Sequence, residues 1–331
     1  MLFEYAVEPQ AIGSHWHIFR YLIEKFGFDR GRLISQFPKA WFKEVYAASA
    51  AMKPVDRKRL EESLNRAKQS KVVRSGRPYD PALGNWLQNA VAQHAVAPFH
   101  AIIAEENPAA ISDVVVVDEA DELHPLMMSG HTWEVERVGT KLAHAMGPML
   151  RAAHRVLFID RFFDIRDERY KETLKACLDV LSAAGTNSAH CEIHFCDHDS
   201  RPPTEVIERY ARKWLQGILP AGMSITLFAW KERNGGADFH ARYLLTDIGG
   251  ISVEAGFSAE GGHQKVQLGL LDLDFVQNKL SAFARNSDVY DLVEPVLEIR
   301  SDGSVHRVYL QKQAGVELHV CQGPRYPDVL T

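Results

Sequence analysis

The chain has 331 residues, 46% of them hydrophobic, 10% aromatic and 24% charged, an ordinary globular composition that excludes a disordered, collagenous or fibrous protein and leaves room for two domains. Its 38 basic and 43 acidic residues leave a net charge of -5, so any contact with nucleic acid has to come from a local patch. In chain order, the first third reads as mostly helical. Ile18, Phe19, Leu22, Ile23 and Phe26 recur at three- and four-residue steps, with Gly27 as a C-cap. Further helical patterns cover 38–50, 55–71 and 84–104, broken at Pro54, Gly76-Arg77-Pro78 and Asn107-Pro108. From about 112 the chain alternates. Apolar runs at Val114–Val117, Arg155–Asp160, Cys191–Cys196, Ser224–Trp230, Phe239–Thr246, Ile251–Phe257 and Val266–Leu271 predict strands, and helices are predicted near 132–152, 167–184 and 204–217. The tail predicts a helix near 274–293 and a hairpin, Val296–Arg300 with Val305–Leu310, turning at Ser301-Asp302-Gly303-Ser304. The expected fold class is α/β: a mixed sheet flanked by helices over 111–275, a helical N-terminal region over 1–110, and a C-terminal extension over 276–331.

Met1-Leu2-Phe3-Glu4-Tyr5 lacks the basic and apolar regions of a signal peptide, and no run approaches the roughly 18 apolar residues of a membrane span. A cytoplasmic protein without membrane contact is expected, with Cys177, Cys191, Cys196 and Cys321 reduced.

The most informative segment is Phe239–Gly250. On a strand His240 and Arg242 point the same way, placing an imidazole beside a permanent cation. That pair suits a phosphate, because imidazole can attack phosphorus or protonate a leaving oxygen while guanidinium holds the non-bridging oxygens. Asp247 would stand at the strand's end, and Gly249-Gly250 reverses the chain toward Gly256-Phe257-Ser258-Ala259-Glu260.

These residues resemble the phospholipase D superfamily, whose signature is His-x-Lys-x4-Asp followed by a Gly-Ser-x-Asn-like element. His240-x-Arg242-x4-Asp247 has the spacing, with arginine at the lysine position; Gly256–Glu260 is similar to the second element with one residue inserted and glutamate in place of asparagine. Val156–Phe163 resembles the apolar strand and acidic-aromatic turn that opens many members. The resemblance implies a metal-independent, cofactor-free phosphodiesterase, a nuclease with His240 as nucleophile forming a phosphohistidine. Arg242 and Ser258 would bind phosphoryl oxygens and Asp247 would buttress the motif. Glu260 and Gln267 match later polar positions of the family's site. One complete motif is present, so a homodimer is expected in which the partner's His240 protonates the leaving oxygen. The alternative is a non-catalytic module of the same fold that binds nucleic acid, phosphate or a partner protein.

Two other features bear on chemistry. His194, Cys196 and His198 share a face if their segment is a strand, which suggests metal ligation, but three adjacent strand positions wrap one ion poorly and packing is the preferred reading. Between Lys53 and Arg77, Arg57, Lys58, Arg59, Arg66, Lys68, Lys71 and Arg74 contribute to a local positive excess. It reads either as a nucleic-acid footprint or as a solvated helix face, and the N-terminal region also offers itself to protein partners.

Overall fold

The computed structural model describes residues 2–128, 130–185, 190–199, 201–215, 217–240 and 242–309. The predicted end of the hairpin at Leu310, and Cys321, lie outside these residues. The chain opens with β1 (Phe3–Val7), α1 (Pro9–Gly13), α2 (Trp16–Ile23), β2 (Arg32–Gln36), α3 (Trp41–Ala48), α4 (Pro54–Ser70), β3 (Val72–Arg74), α5 (Trp86–Val96), β4 (Ala101–Ala104) and β5 (Val114–Val116). The strands pair in parallel in the order β3-β2-β1-β4-β5. Ile12, Phe19, Leu22, Trp41, Val45, Leu60 and Leu64 of α1–α4 cover one face over Tyr5, Val7 and Ile34. Trp86 and Ala90 of α5 cover the other over Ala6, Ile102 and Ala104. Helices on both faces of a parallel sheet whose order reverses beside β1 make this part doubly wound.

The expectation of a mostly helical first third is thereby corrected. Its helices fall near their predicted places, but between them runs a sheet whose strands are three to five residues long and, the edge strand β3 aside, largely buried on both faces. Such strands show no alternation, and Ala101–Ala104 was absorbed into the helix preceding it. The sheet also extends past residue 110, since Val114–Val116 pairs with β4 and not with the later strands.

The second sheet contains β6 (Thr132–Arg137), β7 (Arg155–Asp160), β8 (His190–Cys196), β9 (Ser224–Glu232), β10 (Arg242–Thr246), β11 (Gly250–Val253), β12 (Gly261–Leu271), β13 (Tyr290–Arg300) and β14 (Val305–Val308). Their order is β14-β13-β9-β8-β7-β10-β11-β12-β6, with β7, β8 and β9 parallel and the remaining pairings antiparallel. A mixed α/β architecture follows. Helices α6 (Gly139–Ala152), α7 (Glu168–Ala183) and α8 (Thr204–Leu215) lie on one face. Their apolar stripes, Leu142/Met146/Met149, Leu174/Leu178/Leu181 and Ile207/Ala211/Trp214, pack on Val156, Phe158, Ile193 and Leu244. Helix α9 (Leu273–Ala282) covers the other face, where Val276 and Phe283 meet Leu157, Ile159 and Leu245.

Two predicted helices are corrected here. Residues 132–137 form β6, whose Thr-Trp-Glu-Val-Glu-Arg alternates with period two, and the helix begins only at Gly139. The helix expected over 274–293 stops at Ala282, and β13 begins at Tyr290. The tail hairpin forms as expected, with Asp302 Oδ1 accepting the Ser304 N–H at 2.8 Å and Gly303 at φ 83°. Among the described residues no helix is long and apolar enough to cross a membrane.

Candidate functional site

Because β7, β8 and β9 are parallel, their carboxyl ends gather Asp160, Cys196 and Glu232 at one end of the second sheet. Strand β10 starts there, with Arg242 directly opposite Asp160, and Gly256–Gly261 returns there after β11. This is the end of an open α/β sheet at which ligands bind.

Asp160 anchors the site. It is 2% exposed; its Oδ1 accepts the Phe162 N–H at 2.9 Å and its Oδ2 the Phe257 N–H at 3.0 Å, with Arg242 Nε 3.9 Å from Oδ1. Burial holds its carboxyl above the ordinary aspartate range, opposed by the two N–H donors and by Arg242 and Arg137. Gly256 takes φ 78°, and a Cβ there would lie 2.3 Å from Asp160 Oδ2, so close approach and backbone conformation both require glycine.

His240 and Arg242 come to this end together. Arg242 donates to the Glu254 carbonyl, and its guanidinium lies 5.2 Å from the centroid of the Phe162 ring. His240 was expected on the strand with Arg242 but stands two residues before its first residue, so strand alternation does not place it, and it is 75% exposed. Its Nδ1 lies 3.2 Å from Arg161 Nη1, and its Nε2 lies 3.4 Å from Asp238 Oδ2. A guanidinium only donates, so Nδ1 is the acceptor and the neutral ring carries its hydrogen on Nε2, facing the carboxylate. Arg161 also reaches Glu232 Oε1 at 3.6 Å and stands 5.6 Å from the Phe162 centroid. Half-buried Arg201 braces this turn by donating to the carbonyls of Arg161, Phe163 and Cys196. His198, just past β8, is held below the ordinary histidine range by burial and then by Arg201 and Arg161.

Ser258 and Glu260 lie at the same end, but other side chains occupy them. Ser258 Oγ accepts from Arg137 Nη2 at 2.5 Å and donates to Glu260 Oε1 at 3.2 Å. Glu260 Oε1 takes Arg169 Nη1 at 2.6 Å and lies 3.4 Å from Arg137 Nη2. Its hydrogen bond from Arg169 is the main reason its carboxyl sits below the usual range. The Ser258 hydroxyl therefore positions an arginine and is not turned toward a ligand.

Two expected site residues are elsewhere. Asp247 stands at the far end of β10, where Oδ1 accepts the N–H groups of His154 at 2.9 Å and Arg155 at 3.2 Å. The five-residue strand that lies between it and His240 spans roughly 17 Å at about 3.3 Å per residue. Gln267 lies between Val266 and Leu268, which enter the core on the α6 and α7 face, so its exposed side chain belongs to the opposite face from Arg242.

The basic segment divides. Lys71 Nζ donates to the Phe26 carbonyl at 2.5 Å, and burial lowers its pKa, so it is an internal tie. Arg57 stacks 4.4 Å over Tyr46. Lys58, Arg59, Arg66 and Lys68 of α4 and Arg74 of β3 are exposed, with Arg59 and Arg66 seven residues apart on one stripe. The carboxyl end of α4 meets the second sheet through Phe28: its N–H bonds to the Ser70 carbonyl, and its Cβ lies 3.1 Å from where a Gly249 Cβ would stand. That is the Asp247 end, so this contact is separated from His240 by the length of β10.

His194 is a packing residue, as preferred from the sequence. It is fully buried, accepts the Trp230 indole N–H at Nδ1 (2.9 Å) and faces Glu192 Oε2 with Nε2 (3.0 Å). The residues that sequence reasoning left without roles are Arg137, Asp160, Arg161, Phe162 and Arg169. The available signal was Asp160-Arg161-Phe162, a charged and aromatic run directly after a wholly apolar strand.

No family model matches this chain, and no curated protein matches it. Among solved structures, that of TrmBL2, described as an archaeal chromatin protein with a novel mode of DNA binding, is similar over 72% of this chain and 84% of its own, at 16% identity and a TM-score of 0.24. A TM-score this low carries no weight on fold or function.

Proposed function

We propose that the carboxyl end of β7 binds a phosphodiester of nucleic acid and that the protein is a phospholipase D-like phosphodiesterase. The observation that carries this reading is that Arg161 and Arg242 both lie over the exposed Phe162 ring while Arg161 also meets His240. Two guanidiniums beside an imidazole supply charge-assisted donors for non-bridging oxygens and a nucleophile for phosphorus. When Arg161 turns from His240 to a phosphoryl oxygen, the Nδ1 lone pair is released, while Asp238 faces the Nε2 hydrogen and stabilises the positive ring that attack creates. The nitrogen–phosphorus bond forms as the bond to the leaving oxygen breaks, and water then hydrolyses the phosphohistidine. The leaving oxygen takes its proton from a second imidazole. In a homodimer this is the partner's His240; within one chain the candidate is His198, which follows β8 at the same end of the sheet. Mixing wild-type with His240→Ala chains separates the two: activity falls faster than linearly with mutant fraction for a shared site and linearly for an independent one.

The testing experiment is cleavage of single-stranded and plasmid DNA in excess chelator. Cleavage is expected to persist, and His240→Ala and Arg242→Ala are expected to abolish it. Activity lost in chelator and restored by magnesium would refute the mechanism. A binding module is the second reading, favoured by Glu260, which already engages Arg137 and Arg169; oligonucleotide binding without cleavage would establish it.

A further inference from the structure

We infer that Phe162 is a stacking platform for an unpaired base, so that the ligand of this site is single-stranded nucleic acid; the inference rests on the phosphodiester reading above. Phe162 is 52% exposed although the next residue, Phe163, is buried against Tyr170 and Trp214. Of the other exposed large aromatics, Tyr21, Tyr46, Tyr210 and Tyr309 carry a hydroxyl that suits water and the less exposed Phe275 packs edge-on against Tyr243; Phe162 has no polar group to place there.

Its position is fixed from below, since its own N–H is held by the buried carboxylate of Asp160. The guanidiniums of Arg161 and Arg242 lie over the ring at 5.6 and 5.2 Å from its centroid, loose contacts that a stacking base replaces as the two cations turn to its phosphate. A half-exposed apolar ring with two mobile cations beside it presents what an unstacked nucleotide needs: a flat surface for the base, with donors for the adjoining phosphate. A duplex cannot use the ring this way, because its bases already stack on one another and offer only their edges.

The test compares three hydrolysis-resistant, phosphorothioate-linked probes of equal length by fluorescence anisotropy with the full chain: a single-stranded oligonucleotide, its duplex and an abasic phosphodiester oligomer. The single strand is expected to bind tightest. Phe162→Ala should weaken it roughly five- to hundredfold while changing the abasic oligomer less than about twofold. Phe162→Trp should retain binding, with indole fluorescence quenched by the single strand and not by the abasic oligomer. Arg242→Ala should weaken all three. If Phe162→Ala weakens the single strand and the abasic oligomer equally, or neither, the stacking role is overturned while an effect of Arg242→Ala leaves the phosphodiester site standing. If Arg242→Ala changes nothing, the phosphodiester reading falls and the inference falls with it.

Discussion

Replacing His194 by phenylalanine should make the protein less stable at neutral pH by an amount that shrinks on acidification. The ring is fully buried, stacked 4.7 Å from Phe228, and its Nδ1 is the acceptor of the Trp230 indole N–H. Since an indole nitrogen only donates, His194 cannot take a second proton without losing that bond, and burial lowers its pKa, opposed by Glu192 and reinforced by Arg155 and His190. Phenylalanine keeps the stack but leaves the indole N–H unpaired and removes one donor from Glu192, together costing about 3–5 kcal/mol near pH 7.5. The sign of the pH effect follows from the lowered pKa: the unfolded chain binds the proton that the folded one refuses, so wild-type stability falls as pH drops through the unfolded value. With an unfolded pKa of about 6.5, a site kept neutral in the fold loses about 1.4 kcal/mol between about pH 7.5 and about pH 5.5. The variant has no histidine at 194 and lacks this loss, so the gap between the two proteins narrows by that amount. Urea unfolding of both at the two pH values measures it. A gap that stays constant or widens would mean that His194 is cationic in the fold and paired with Glu192, and the assignment of its nitrogens would be wrong.

Gly256→Ala should destabilise by about 3 kcal/mol, from a left-handed backbone and a Cβ driven onto Asp160, and should also lose oligonucleotide binding; unchanged melting would remove Asp160 from its anchoring role. Asp247→Ala should cost about 1 kcal/mol by freeing the His154 and Arg155 N–H groups, yet leave cleavage per folded molecule intact; selective loss of cleavage would return Asp247 to the site. Combined Arg59→Glu and Arg66→Glu should flatten the salt dependence of DNA binding if α4 touches phosphates, and an unchanged slope would assign them to a solvated face. Lys71→Met, by contrast, should act on stability, since that side chain ties α4 to Phe26.

The central strands of the second sheet were legible because their apolar runs are bounded by charged or glycine-rich turns, and Arg155–Asp160 was read to the residue. The first sheet was not, because strands such as Val114–Val116 present only three residues and Ala101–Ala104 carries alanines that suit a helix equally well. At the site, strand periodicity brought Arg242 to the carboxyl end of β7, but His240 lies before the strand and meets that end through Arg161. The same regularity misled for Asp247: a gap that spans a whole strand puts its two ends at opposite ends of the sheet. Arg137 and Arg169 carry no local signal, since they meet Glu260 only after 123 and 91 steps of chain are folded around the sheet.

The place of β6 sets an order on assembly. It is made before every strand of its sheet and pairs with β12, whose residues begin at Gly261. At roughly 5–20 residues per second, a ribosome needs on the order of ten seconds to deliver that partner. During this interval Trp133 and Val135 have no strand to cover them, and the segment is open to pairing with another chain. Glu134 and Glu136, on the alternate positions, keep a charged row along the waiting strand, and in the finished sheet the same row faces outward at its edge. A nascent chain is thus guarded by the residues that later keep the completed edge from recruiting a neighbour.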